Sequence, residues 1–223
     1  VTAASLCRTR VKICCIGSIA EAEMAVRHGA SAIGLVSEMP SGPGVIDEAL
    51  IAEIAVRVPA GVATFLLTSR VDPGAIVEQH RRCRTSAIQI CDQLQPGAYA
   101  RLRDALPGIA LVQVIHVRGE ESVREALDAA PHVNALLLDS GNPSLAVKEL
   151  GGTGRTHDWR SSRAIVEGSP VAVYLAGGLN ASNVGEAIRQ VRPFGVDLCS
   201  GIRVDGKLSE EKLAAFCRAV AEA

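Results

Sequence analysis

Gly151-Gly152-Thr153-Gly154-Arg155-Thr156-His157-Asp158-Trp159 follows an apolar run that ends in an acid, Ala135-Leu136-Leu137-Leu138-Asp139. The three glycines and two threonines of this stretch predict a loop whose backbone N–H groups can approach an anion closely. Asp158 is an N-cap residue for a helix that follows. Two later breaks repeat the arrangement. Gly177-Gly178 ends the apolar run Val171 to Leu175, and Ser200-Gly201 follows Val196-Asp197-Leu198. Glycine loops after several short apolar strands, all late in the chain, predict one phosphate site built from several strand ends. A (β/α)8 barrel holds a phosphorylated ligand at its C-terminal face in this way. The residues expected to hold the phosphate are Gly152, Gly154, Gly177, Gly178, Ser200 and Gly201.

The rest of the chain supports that architecture. Short apolar runs at 11–15, 32–36, 62–67, 87–90, 109–115, 135–138, 171–175 and 196–199 read as strands. Each is followed by a helical pattern, several of them opened by an N-cap residue: Ser18, Asp47, Asp72 with Pro73, Asp158 and Ser209. The helix after the fourth strand is expected from about Pro96 to Leu106. Strict strand–helix alternation means right-handed βαβ units and a parallel sheet. An open doubly wound sheet is the competing solution. It favours one glycine-rich loop early in the chain, and no GxGxxG follows the first strand. The expectation is a single (β/α)8 TIM barrel spanning 1–223, with eight parallel strands.

Composition narrows the function classes. Of the 223 residues 48% are hydrophobic but only 3% aromatic, so the core must be Val, Ile, Leu and Ala, the filling of parallel strands buried on both faces. A formal net charge of -1 argues against general nucleic-acid or membrane-surface binding. The seven cysteines are scattered, with no CxxC pair and no zinc spacing. They read as reduced thiols, several of them buried. The sequence does not open on a charged-then-apolar leader, and no apolar run approaches the roughly 18 residues of a membrane span. A cytoplasmic protein without a metal site is expected, acting on a phosphorylated small molecule as a monomer or homodimer.

Five motifs in order carry a family resemblance. They are Val11-Lys12-Ile13-Cys14, Leu136-Leu137-Leu138-Asp139-Ser140, GGTGRTHDW at 151–159, Leu175-Ala176-Gly177-Gly178-Leu179, and Val196-Asp197-Leu198-Cys199-Ser200-Gly201. From about Val11 to the last helix the chain resembles phosphoribosylanthranilate isomerase, a (β/α)8 enzyme of tryptophan biosynthesis. The resemblance implies an Amadori rearrangement of a phosphoribosylated amine without a cofactor. It assigns the base to Cys14 and the acid to Asp139. A thiolate is a competent base and a carboxylic acid a competent donor, and both residues end barrel strands. Lys12, Asp92, Arg155 and Arg203 are further candidates for substrate contact. Cys15 is expected in the barrel wall by alternation, Asp197 reads as structural, and His157 and Trp159 read as helix-start and packing residues.

The chain also departs from the pattern. An arginine that meets the anthranilate carboxylate in the family falls here on Gly44, within Ser41-Gly42-Pro43-Gly44-Val45-Ile46. The usual Gly-Ile-Thr after the cysteine becomes Cys15-Ile16-Gly17, a His-Gly becomes Cys91-Asp92, and a Val-Glu becomes Ile202-Arg203. The phosphate and acid–base parts are retained while the carboxylate reader is not. This predicts weak or absent turnover of phosphoribosylanthranilate unless Arg203 substitutes, with Gly44→Arg as the direct test. Two other readings remain: a different phosphosugar isomerase or epimerase, and a barrel that binds a phosphometabolite without turnover.

Overall fold

The computed structural model describes residues 9–95, 97–152 and 154–223. Its first half runs β1 (Arg10–Ile13), α1 (Ile19–Arg27), β2 (Ala32–Val36), α2 (Glu48–Arg57), β3 (Ala63–Thr68), α3 (Pro73–Cys83), β4 (Ala87–Ile90) and α4 (Ala98–Ala105). Its second half runs β5 (Ala110–His116), α5 (Glu120–Ala129), β6 (Ala135–Asp139), α6 (Trp159–Gly168), β7 (Ala172–Leu175), α7 (Val184–Val191), β8 (Gly195–Leu198) and α8 (Glu210–Ala221), with a hairpin of β9 (Arg203–Val204) and β10 (Lys207–Leu208) before α8. Strands β1 to β8 pair in parallel in chain order, and β8 closes on β1. The expected barrel is observed.

Two apolar layers hold it. Side chains at one parity, such as Ile33, Leu35, Leu66, Ile88, Leu136 and Leu138, cluster with Ile54, Ile76, Leu102, Ile165 and Phe216 of the helices. Those at the other parity, such as Ala32, Phe65, Val112, Val114, Leu137 and Tyr174, cluster with one another and with no helix residue. The period-2 alternation of a strand thus separates the barrel interior from the helix-facing layer. The interior tapers to its C-terminal mouth on Cys14, Val36, Leu67, Cys91 and Ala176.

The caps read from sequence form: Ser18, Asp47, Asp72, Asp158 and Ser209 each accept a backbone N–H of the first helical turn. Two boundaries differ. β1 stops at Ile13 because Cys15 takes φ 60 and leaves the strand. α4 opens at Ala98 behind Gly97, which has φ 79 and gives no side-chain cap; Pro96, where that helix was expected to start, lies outside the described residues. The β9–β10 hairpin was not anticipated, although its turn carries the Asp205-Gly206 signal, with φ 48 and 77.

Candidate active site

The strand ends and loops at the C-terminal face form an open cleft. Cys14 from β1, Asp139 from β6 and Asp197 from β8 all face it. Around the closed barrel, β7 and β8 stand between β6 and β1. The loops after β7 and β8 therefore fill the arc of the mouth between Asp139 and Cys14.

Cys14 is buried, and its backbone N–H donates to Leu198 O at 2.9 Å, fixing the strand end against β8. Its sulfur lies where β2 makes room. A Cβ on Gly34 would fall 2.8 Å from Cys14 Sγ and 3.0 Å from Lys12 Nζ. That inward-facing strand glycine was missed by sequence reasoning, although a glycine inside a strand commonly marks close approach of other groups. Lys12 is fully buried beneath the cleft, pairs with Asp197 at 2.9 Å and lies 5.3 Å over the Phe65 ring. The barrel register sets the pair, since Lys12 and Asp197 are partners across the β1–β8 seam. Burial pushes the Lys12 ammonium down, but Asp197 and the neighbouring Cys14 outweigh it, so it stays charged with its pKa above the usual value.

Asp139 is oriented by its own loop. Its Oδ1 accepts the Ser140 N–H at 2.7 Å, and a Cβ on Gly151 would sit 2.7 Å from Oδ2. Gly151 has φ 137 and Gly152 φ 69, so the stretch that opened the sequence reading turns back over the acid. His157 packs behind the loop, with Nε2 at 2.7 Å from Ser162 Oγ, and burial lowers its pKa.

The glycine loops meet as expected. Gly152, Gly154, Gly177, Gly178 and Ser200 line the same cleft. Gly178 has φ 62, and a Cβ there would lie 2.8 Å from Thr156 N and 2.9 Å from Gly154 O. The loop after β6 thus rests directly on the loop after β7. Gly201 backs this wall without lining it: its Cβ would fall 2.2 Å from Leu179 O.

The sequence model of the family described as N-(5'phosphoribosyl)anthranilate (PRA) isomerase matches residues 11–219. The chain belongs to the phosphoribosylanthranilate isomerase family. It is 33% identical over 205 residues to the N-(5'-phosphoribosyl)anthranilate isomerase of Methanocella arvoryzae, covering 92% of this chain and 94% of that one. It is 34% identical to the one of Haloarcula marismortui, covering 89% of each. Among solved structures it superposes on phosphoribosyl anthranilate isomerase from Thermotoga maritima with a TM-score of 0.82 at 27% identity, over 96% of this chain and 100% of that one. A phosphoribosyl anthranilate isomerase in complex with reduced 1-(o-carboxyphenylamino)-1-deoxyribulose 5-phosphate matches with a TM-score of 0.80 at 25% identity, again over 96% and 100%.

Within this phosphoribosylanthranilate isomerase fold, four candidate contacts fall elsewhere. Lys12 is sealed under the cleft with no exposed surface. Asp92 pairs with Lys148 and faces a separate hollow between α4 and α5, beside Tyr99, Gln113 and Glu125. Position 92 follows the inward Cys91 at the end of β4, so alternation turns Asp92 away from the mouth. Arg155 pairs with Glu149 on the outer surface and lines a shallow depression with Ser140 and Asn142. Arg203 does not line the cleft. It spans from Glu21, at 3.1 Å, to the carbonyls of Cys14 and Cys15. The β9–β10 hairpin, unseen in the sequence, fixes it there, with Gly206 O accepting from Nη1 at 2.9 Å. Arg203 is a brace for the end of β1.

Cys15 also departs from expectation. Its left-handed φ of 60 breaks the strand alternation and turns it into the cleft with Cys14. Hydrogen bonding to Cys14 and Cys199, with burial, pushes its thiol pKa well up, while the Cys15 contact and Arg203 hold Cys199 down. Its neighbour is Gly44, at φ 80, where a Cβ would lie 2.5 Å from Cys15 Cβ. An arginine cannot simply be installed at Gly44, which removes that single substitution as a clean test.

Proposed function

We propose that the protein catalyses an Amadori-type aldose–ketose isomerisation of a 5-phosphoribosylated amine, with Cys14 as base and Asp139 as acid. The phosphate is taken by the backbone around Gly152, Gly154, Gly177, Gly178 and Ser200, where left-handed glycines let N–H groups converge on an anion. The observation that carries this reading is the order around the barrel. The glycine loops after β7 and β8 lie between Asp139 and Cys14, so a sugar anchored there by its phosphate extends between acid and base.

The chemistry follows from that placement. The Asp139 carboxyl donates its proton to the furanose ring oxygen, the C1–O bond breaks, and the amine nitrogen's lone pair forms the iminium. The Cys14 thiolate removes the C2 proton, and the C2–H electrons neutralise the iminium to give an enolamine. Proton return from Cys14 to C1, with loss of the C2 hydroxyl proton to the Asp139 carboxylate, gives the aminodeoxyketose and restores both groups. Lys12 keeps a positive charge beside the sulfur through the cycle.

Exchange of the substrate C2 proton in D2O, measured with turnover, tests the assignment. Cys14→Ala and Asp139→Asn should each lower kcat by about 10²–10⁴-fold while affinity for a phosphorylated product analogue stays nearly unchanged. A Cys14→Ala protein with near wild-type turnover removes the base assignment. Tight binding without exchange in the wild type would instead indicate a non-catalytic barrel.

A further inference from the structure

The walls of the cleft are uneven in charge. Its ionisable lining among the described residues is Cys14, Cys15, Cys91, Cys199, Asp139 and Asp197, thiols and carboxylates only. Four cations around the site are paired with acids: Lys12 with Asp197, Arg203 with Glu21, Lys148 with Asp92 and Arg155 with Glu149. A phosphate can be held by backbone N–H groups at the glycine loops. A second anion on the ligand would meet acids and thiols and no counter-charge, which is costly in a partly desolvated site.

The β1–β4 side of the cleft is uncharged and largely apolar, formed by Val36, Met39, Pro43 and Leu67 with Cys15, with Ser41 and Gln89 as neutral polar groups, and it meets the glycine loop where Pro43 lies against Gly152. Its form depends on one pair. Gly44 lies so close to Cys15 that a Cβ on it would be 2.5 Å from Cys15 Cβ, 3.0 Å from its Cα and 3.2 Å from its Sγ. Both residues are left-handed, at φ 80 and 60. A side chain at 15 excludes one at 44, so position 44 cannot carry a cation while Cys15 is in place.

We infer that the amine substituent of the substrate is apolar and carries no carboxylate, and that the Cys15–Gly44 contact sets this choice. This rests on the isomerase reading and narrows it to phosphoribosyl derivatives of uncharged aryl or alkyl amines. The removal of Cys15's side chain is the condition for any cation at position 44.

The experiment compares N-(5-phosphoribosyl)aniline with N-(5-phosphoribosyl)anthranilate on the wild type and on Cys15→Gly/Gly44→Arg. It reads kcat/KM, C2 proton exchange, and affinity for the two corresponding reduced 1-arylamino-1-deoxyribulose 5-phosphates. The wild type should favour the aniline compounds, and the double variant should shift the preference toward the carboxylate on the order of ten- to hundredfold, the span of one charge-assisted contact. Equal or better use of the anthranilate compounds by the wild type, with exchange observed, overturns the inference and leaves the isomerase reading intact. Tighter binding of the uncharged analogue without exchange from either substrate overturns the isomerase reading, and the inference about its substrate falls with it. The wild-type comparison decides even if the double variant does not fold.

Discussion

The two sides of the cleft are built from different materials. The β6–β8 side is backbone: Gly151, Gly152, Gly154, Gly177 and Gly178 all have positive φ, and their missing side chains let one loop rest on the next. The β1–β2 side is side chain: Cys14 against Gly34, Cys15 against Gly44, Lys12 on Asp197, and Arg203 reaching to the carbonyls beyond β1. On the first side local conformational need is written as glycine, residue by residue. On the second, each group depends on a partner far along the chain, Asp197 for Lys12 and Glu21 for Arg203.

The largest expected effect probes the backbone-built side. Gly178→Ala places a Cβ within 3 Å of three backbone atoms of 154–156 and holds an L side chain at φ 62. Left-handed strain of about 1–2 kcal/mol adds to overpacking of about 1–3 kcal/mol. A loss of roughly 2–5 kcal/mol lowers Tm by about 5–15 °C in a chain of this size, and affinity for the phosphorylated analogue should fall at least tenfold. A melt within 2 °C of wild type with unchanged affinity would show that the two loops are not rigidly stacked.

The contrast in materials also explains what could be read in advance. Eight strands, five capped helix starts and the cluster of glycines at the mouth were legible, because alternation, N-caps and glycine are local signals. Cys15 was misplaced because its left-handed turn falls on a non-glycine residue, and nothing in the local sequence reports that. Arg203 was aimed at a ligand because its destination depends on a two-residue hairpin and on Glu21. Asp92 was drawn to the mouth by its place after β4, one residue out of phase with the inward positions. Gly34 carried a signal that went unused: the only glycine within the apolar run of β2.

The next effect tests the Arg203 brace. Glu21 accepts from Arg203, from Gly17 N at 3.0 Å and from Leu208 N at 2.9 Å. Burial alone raises its pKa, but Arg203 and the two amides prevail and hold it below the usual carboxylate range. A carboxyl depressed in the folded state contributes stability above its unfolded pKa, lost as pH falls through the folded one. Glu21→Gln should therefore cost about 1–2 kcal/mol at neutral pH, between exposed and buried pairs, and the gap to wild type should close in acid. Because the brace ends at the Cys14 and Cys15 carbonyls, kcat should fall while phosphate-analogue affinity is kept. A gap that persists below pH 3 would place the loss in packing rather than charge.

The smallest effect is the most informative about the side-chain-built wall. Cys15→Gly relieves left-handed strain of about 1 kcal/mol but deletes a buried Cβ–Sγ and frees the unfolded chain, each also near 1 kcal/mol. These oppose, so the single variant should melt within about 4 °C of wild type. Gly44→Ala behaves differently, since its Cβ would stand 2.5 Å from Cys15 Cβ, and overpacking of this kind costs roughly 1–3 kcal/mol. In the Cys15→Gly background the 2.5 Å contact is gone and only the 3.0 Å approach to the Cα of residue 15 remains. A double-mutant cycle on thermal or urea unfolding should then return a coupling of about 1–3 kcal/mol, within the range for residues in contact. Additive costs would mean that position 44 is closed by the loop's own backbone. In that case the wall could not be rebuilt by changing Cys15, whatever the ligand it faces.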